Sequence, residues 1–73
     1  MSFSKEEKIF IEIIKSNLAY FNSNKRKGKL TVDYVVDGGN RAEIRKDGEL
    51  LLNVTIEQAW AAVAAIIRYE EER

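Results

Sequence analysis

Few residues in this chain are equipped for chemistry. Lys25, Arg26, Lys27 and Lys29 put four positive charges in five positions, the strongest charge feature of the sequence and a candidate contact for an anion or a nucleic acid. Cations at the end of a helix also suit its negative pole, so the same run has a structural use. Asp33 and Glu43 are the carboxylates that could pair for acid–base work, but Arg41 and Arg45 flank them in alternating segments. On an open strand face beside an arginine, nothing raises a carboxyl pKa. The chain has no cysteine and no histidine. That removes thiolate and imidazole, hence the usual nucleophile–base pairs and the commonest metal ligands. Asp37-Gly38-Gly39-Asn40 is not a phosphate loop, because no helix follows it and no lysine sits at the required spacing. The sequence reads as non-enzymatic, with no cofactor and no metal.

The elements that carry these residues are marked by their periodicity. Ser4-Lys5-Glu6-Glu7 is a capping box, with a hydroxyl for the orphan amides and a glutamate three residues on. Phe10, Ile13, Ile14, Leu18 and Phe21 then recur at helical spacing, which predicts a helix from residue 5 to about 22. Ile9 and Tyr20 fall on one flank of its apolar face and Ile11 on the other. The arc spans roughly 200°, wider than the ~100° stripe that meets a single core. One flank is therefore a candidate contact with a second chain. Asn22-Ser23-Asn24 ends the helix by competing for backbone hydrogen bonds.

Three alternating segments follow, around Leu30–Val36, Arg41–Arg45 and Glu49–Val54, separated by Asp37-Gly38-Gly39-Asn40 and Asp47-Gly48. They predict a three-stranded antiparallel meander. Parity allows three-residue loops. A Lys46-Asp47-Gly48 loop pairs Arg45 with Glu49, Ile44 with Leu50 and Ala42 with Leu52. Between the first two strands, a 38–40 loop sets Asp33 against Arg45. A 37–39 loop places glycine better but sets Asp33 against Glu43, and like charges directly opposite are unfavourable. The charge pairing favours the 38–40 loop. Leu51 and Asn53 lie on an edge strand without lysine or proline, and such an edge is paired or covered.

Thr55-Ile56-Glu57-Gln58 is a second capping box and opens a helix that runs to about Glu71. Within it Ile56, Ala59, Trp60, Val63, Ile66 and Ile67 occupy an arc of about 120°, the width of a stripe that lids a sheet. Ala62, Ala65 and Tyr69 form a smooth flank against which another helix could pack. The acids Glu70, Glu71 and Glu72 sit at its negative pole, so either the end frays or a basic partner, with Lys25 to Lys29 the nearest candidate, lies close.

The expected fold is a single α+β domain over residues 1–73, with order αβββα and both helices on one face of the sheet. At 73 residues, 45% hydrophobic and 33% charged, the chain is globular, and a core this small is often supplemented by oligomerisation. Twelve basic and twelve acidic residues cancel, so no global field favours nucleic acid or membrane. No apolar run approaches the ~20 residues of a membrane span, and the opening MSFSKEEK has no apolar segment of a signal peptide. A cytoplasmic setting is expected.

The order helix, three antiparallel strands, alanine-rich helix resembles the double-stranded-RNA-binding domain, with IEQAWAAVAAI echoing that family's last helix. The resemblance covers nearly the whole chain and is topological. It implies RNA contacts from the first helix, the first strand-to-strand loop and the opening of the last helix. Here those last two places hold Asp37-Gly38-Gly39-Asn40 and Thr55-Ile56-Glu57-Gln58, without the family's lysines. Two functions are expected from these residues. One is a self-associating protein-interaction module, a homodimer as first guess, acting as a regulator or inhibitor of another protein. Its candidate interface is Ile9, Ile11, Tyr20, Leu51, Asn53, Ala62, Ala65 and Tyr69. The alternative is a nucleic-acid binder using Lys25, Arg26, Lys27 and Lys29.

Overall fold

Ser4 stands in extended backbone and its hydroxyl accepts the Glu7 amide at 3.1 Å, while the Glu7 carboxylate accepts the Ser4 amide at 2.8 Å. In the computed structural model, which describes residues 3–23, 28–36 and 39–72, this reciprocal capping box starts α1 (Lys5–Asn22). There follow β1 (Leu30–Val35), β2 (Arg41–Lys46) and β3 (Glu49–Thr55), antiparallel in the order β1-β2-β3, and then α2 (Ile56–Glu71). Thr55 and Gln58 repeat the capping box at the start of α2. The expected αβββα order and both helix spans are those found.

The helices run parallel on one face of the sheet. Phe10 meets Trp60 near their starts, and the Tyr20 hydroxyl donates to Glu71 at 2.6 Å near their ends. α1 packs over β1, and α2 over β2 and β3. Alternation brings Leu30, Ala42 and Ile44 under them, where Ile14, Ile56, Ala59 and Val63 complete a fully enclosed core. Burying each of the larger side chains stabilises the fold by about 1.5–3 kcal/mol.

The register differs from the expectation in both hairpins. β1 and β2 pair Asp33 with Glu43 and Val35 with Arg41, not Asp33 with Arg45. Turn geometry outweighs the charge pairing. Gly39 has φ 107°, a conformation glycine adopts without steric cost. Asn40 follows at φ 54° and donates its amide to the Val36 carbonyl at 3.3 Å. Gly38 of the expected loop, and Asp37 before it, lie outside the described residues. The like-charge pair is relieved diagonally, because Arg45 approaches Asp33 at 3.7 Å and Glu43 at 3.2 Å.

The second hairpin turns on two residues. Asp47 and Gly48 both have positive φ, 53° and 87°, which is the type I′ turn that Asp-Gly favours. That turn pairs Lys46 with Glu49 and Arg45 with Leu50, whereas Ile44 pairs with Leu52. One extra residue, Leu51, is thus accommodated in β3 as a bulge. The bulge restores the parity that the short turn breaks, and Leu52 and Val54 keep the helix face. Leu50, expected opposite Ile44 on that face, shares the open face with Arg45 instead.

The end of α1 is clasped to the sheet. The Asn22 carboxamide accepts the Leu30 amide at 2.8 Å and donates to the Leu30 carbonyl at 2.9 Å. The neighbouring backbone is held by Asp47, whose carboxylate accepts the Lys29 amide at 2.9 Å and whose own amide donates to the Lys29 carbonyl at 2.8 Å. Gly28 lies against that carboxylate at φ +88°, where an added Cβ would come within 2.8 Å of it. At the end of α2, Glu70 is 6% exposed and ion-pairs with Lys46 of β2 at 2.9 Å. Lys46 is thus a basic partner of this acidic end, whereas Lys25, Arg26 and Lys27 of the run expected there lie outside the described residues.

Two predictions follow from these clasps. Asn22→Ala strips both partners from the enclosed Leu30 backbone and should lower unfolding stability by about 2 kcal/mol. Asn22→Asp, which keeps the acceptor and loses the donor, should fall between the two in a urea midpoint series. The second concerns Glu7, whose pKa is held below the ordinary value by the Ser4 amide first, then by Asn40 and the Ser4 hydroxyl, against some burial. A depressed folded pKa stabilises above the unfolded carboxylate range and loses that contribution as pH falls through the folded value. The wild type should exceed Glu7→Gln in stability at neutral pH, with the gap closing once the pH drops well below about 4.3.

Candidate interaction surfaces

The open face of the sheet carries its charges in rows across the strands. Asp33, Glu43 and Asn53 stand in register, as do Val35, Arg41 and Thr55. Arg45 ties Asp33 to Glu43, and Arg41 donates through Nε to the Asn53 side chain at 2.9 Å and through Nη2 to the Asn53 carbonyl at 2.8 Å. These carboxylates are engaged by arginine on an open surface. Among the described residues, no group of three or more Asp or Glu is placed to hold a metal ion.

Of the basic run, Lys29 is described. It is exposed, and its backbone is held on both sides by Asp47. Lys25, Arg26 and Lys27 lie outside the described residues. The two places where the RNA-binding resemblance implies phosphate contacts hold other chemistry. Asn40 in the first turn donates its side-chain amide to Glu7 at 2.9 Å, and Glu57 lies in the first turn of α2. Among the described residues, no helix is long and apolar enough to cross a membrane.

The candidate interface residues separate into three places. Ile11 is buried in the core, so it is not an interface residue. The wide apolar arc of α1 is wide partly because one flank closes over β1. Ile9 and Tyr20 remain exposed on the α2 side of α1. There they join Ile13 and the tilted Phe10–Trp60 pair, whose ring centroids are 5.0 Å apart, to form a seam between the helices. Toward the helix ends a shallow groove of about 280 Å³ lies between the helices, lined by Asn17, Tyr20, Ala64, Ile67, Arg68 and Glu71.

The third place is the β3 side. Leu50, Leu51 and Leu52 are 45, 44 and 39% exposed, and every residue of β3 but Val54 is exposed. α2 continues this surface upward. Its Trp60, Ala64 and Glu71 face α1, so at about 100° per residue Ala62, Ile66 and Tyr69 fall on the opposite flank, above β3. Ala62 and Ile66 are half-buried against the core, and Tyr69 is exposed. Ala65 and Tyr69 line a shallow outer groove of about 390 Å³ with Arg68 and Glu72. Leu51, Asn53, Ala62 and Tyr69, which the sequence places on separate elements, thus share one side of the molecule.

Sequence reasoning missed the seam partners Ile13, Phe10 and Trp60, because periodicity assigns each to a core stripe without saying which neighbour covers it. It also missed Leu50 as a surface residue. The Asp-Gly dipeptide was the available signal, since a two-residue turn there forces a bulge downstream.

Tyr34 is the buried polar group without a hydrogen-bond partner among the described residues. Its ring meets Phe3 edge-on at 6.2 Å. Burial first, and then the charge of Glu12, raises its pKa above the ordinary tyrosine value.

The chain matches no family model, no curated protein and no solved structure.

The orphaned hydroxyl gives a direct test. Tyr34→Phe removes a buried group that has exchanged water for no protein partner. The variant should be as stable as the wild type or more stable by up to about 1 kcal/mol, measured by thermal and urea unfolding.

Proposed function

We propose that this protein is a small, non-enzymatic interaction module of the cytoplasm. It self-associates and acts as a regulator or inhibitor by binding another protein. The observation that carries the reading is the exposure of two separate apolar surfaces on opposite flanks of α2: the α1–α2 seam and the β3 side. Exposed large apolar groups gathered in one place mark interaction sites more than scattered ones do. The seam offers the kind of anchor that dominates binding energy, an aromatic pair beside two isoleucines. We assign the seam to the partner protein and the β3 side to self-association. The charge balance supports this over a nucleic-acid role, since twelve positive and twelve negative side chains cancel and Arg41, Arg45 and Lys46 are already engaged by Asn53, Asp33, Glu43 and Glu70.

Immobilised wild type and Ile13→Lys, compared on the same extract, test the seam. A protein retained by the wild type and lost with the variant is the expected result, with at least a tenfold drop in capture. Identical retention by both sinks the reading. Filter binding with duplex RNA and DNA over a salt series tests the alternative, since phosphate contacts are strongest at low salt. Retention at about 50 mM salt that fades as salt rises would favour the basic run over the seam.

A further inference from the structure

The β3 edge ends the sheet below the flank of α2 that faces away from α1, and the two features demand a common cover. We propose that a second copy of this chain covers both, through antiparallel pairing of β3 with β3 about a two-fold axis at Asn53. This inference rests on the reading of the chain as self-associating and names the surface and its geometry.

Four observations select a second copy. β3 is an edge strand with no lysine or proline, three consecutive leucines and almost no burial, the kind of edge that pairs. The edge also leads straight into α2, because Thr55 is both the last residue of β3 and the N-cap of that helix, so a strand that pairs with β3 stands beside the start of α2.

The third observation concerns faces. Pairing residues must share one, and beyond the bulge Leu52 and Val54 hold the helix face while Asn53 holds the open face. Centring the axis on Asn53 sets Leu52 against the Val54 of the other copy and keeps apolar opposite apolar. The axis is then normal to the sheet, so both helix layers lie on the same side.

The fourth is the fit of the helices. Strands stand about 4.8 Å apart. A helix seated over β2 and β3, as α2 is, then lies about 5 Å from the axis. The two α2 helices stand about 10 Å apart, at the upper end of the spacing of packed helices. The flank that meets has Ala62 at its centre, with Ile66 and Tyr69 along it. A foreign strand could pair with β3 equally well, but it would leave that flank open. A second copy brings its own. A stable interface needs about 800 Å² from each partner, roughly a sixth of the 5076 Å² accessible surface of the chain, which one side of the molecule can supply.

The test combines solution mass with a cross-link. The wild type should sediment as a dimer of 8.4 kDa chains at micromolar concentration. Leu51→Lys, at an exposed position that the core does not use, should sediment as a monomer with unchanged circular dichroism. Asn53→Cys should form an intermolecular disulfide on mild oxidation, because axis-related residues in such a pair lie within disulfide reach. Thr31→Cys, on the opposite edge of the sheet, should not. The chain has no other cysteine. A dimer that survives Leu51→Lys, or one in which Asn53→Cys does not link, overturns this pairing while leaving self-association standing. A monomeric wild type overturns both, and capture of a partner at the seam is read independently by the Ile13→Lys comparison.

Discussion

No linker separates the sheet from its lid. Thr55 is the last residue of β3 and the N-cap of α2, and Ile56, the first helical residue, is already buried. The strand must therefore turn into a helix within one residue, and the reciprocal bonds of Thr55 and Gln58 satisfy the amides that this exposes. Once α2 leaves β3 at that point, its direction across the sheet is set, and the row of Ile56, Ala59, Val63, Ile67 and Glu70 is brought down onto β2. At the far end Glu70 reaches Lys46, so α2 is pinned at both ends by residues of the sheet. α1 then occupies the remaining width, held by Glu7 and Asn40 at one end and by Asn22 and Leu30 at the other.

This arrangement leaves the molecule asymmetric. α1 lies over one edge strand, β1, and its Ile11 flank is buried there. Among the described residues, nothing performs that service for β3. The bulge at Leu51 sharpens the asymmetry, because it turns Leu50 to the open face and stacks three partly exposed leucines at one corner. The same bulge that repairs the register thus creates the apolar surface on which the proposed self-association rests. The physical cause is the Asp-Gly turn, whose tight type I′ geometry is favoured locally and leaves one residue too many in the strand that follows.

Local backbone demands also settle the first hairpin. Opposite charges across a strand pair are worth less than about 1 kcal/mol, and a flexible arginine can recover the loss diagonally, as Arg45 does between Asp33 and Glu43. Positive φ at a turn has no such substitute. A residue forced there without glycine or asparagine carries strain that no neighbour relieves, so Gly39 and Asn40 decide the register.

Elements with a short-range cause were legible in the sequence. Two capping boxes, the helical and alternating periodicities and the two glycine turns are contained within spans of a few residues, and the order αβββα and both helix limits follow from them. The alanine-rich helix read correctly as a lid because its apolar stripe is narrow. What the tertiary structure decided was everything that depends on which surfaces meet. A helix wheel shows that the apolar arc of α1 has two flanks, but not that β1 covers Ile11 while Ile9 and Tyr20 stay exposed. Nor can it show that Lys46 lies under Glu70, or that Leu51, Asn53, Ala62 and Tyr69, spread over about two turns of one helix and one strand, come to share a side. Periodicity is a property of a segment, whereas burial and pairing belong to segments in contact, and those contacts exist only once the chain has closed.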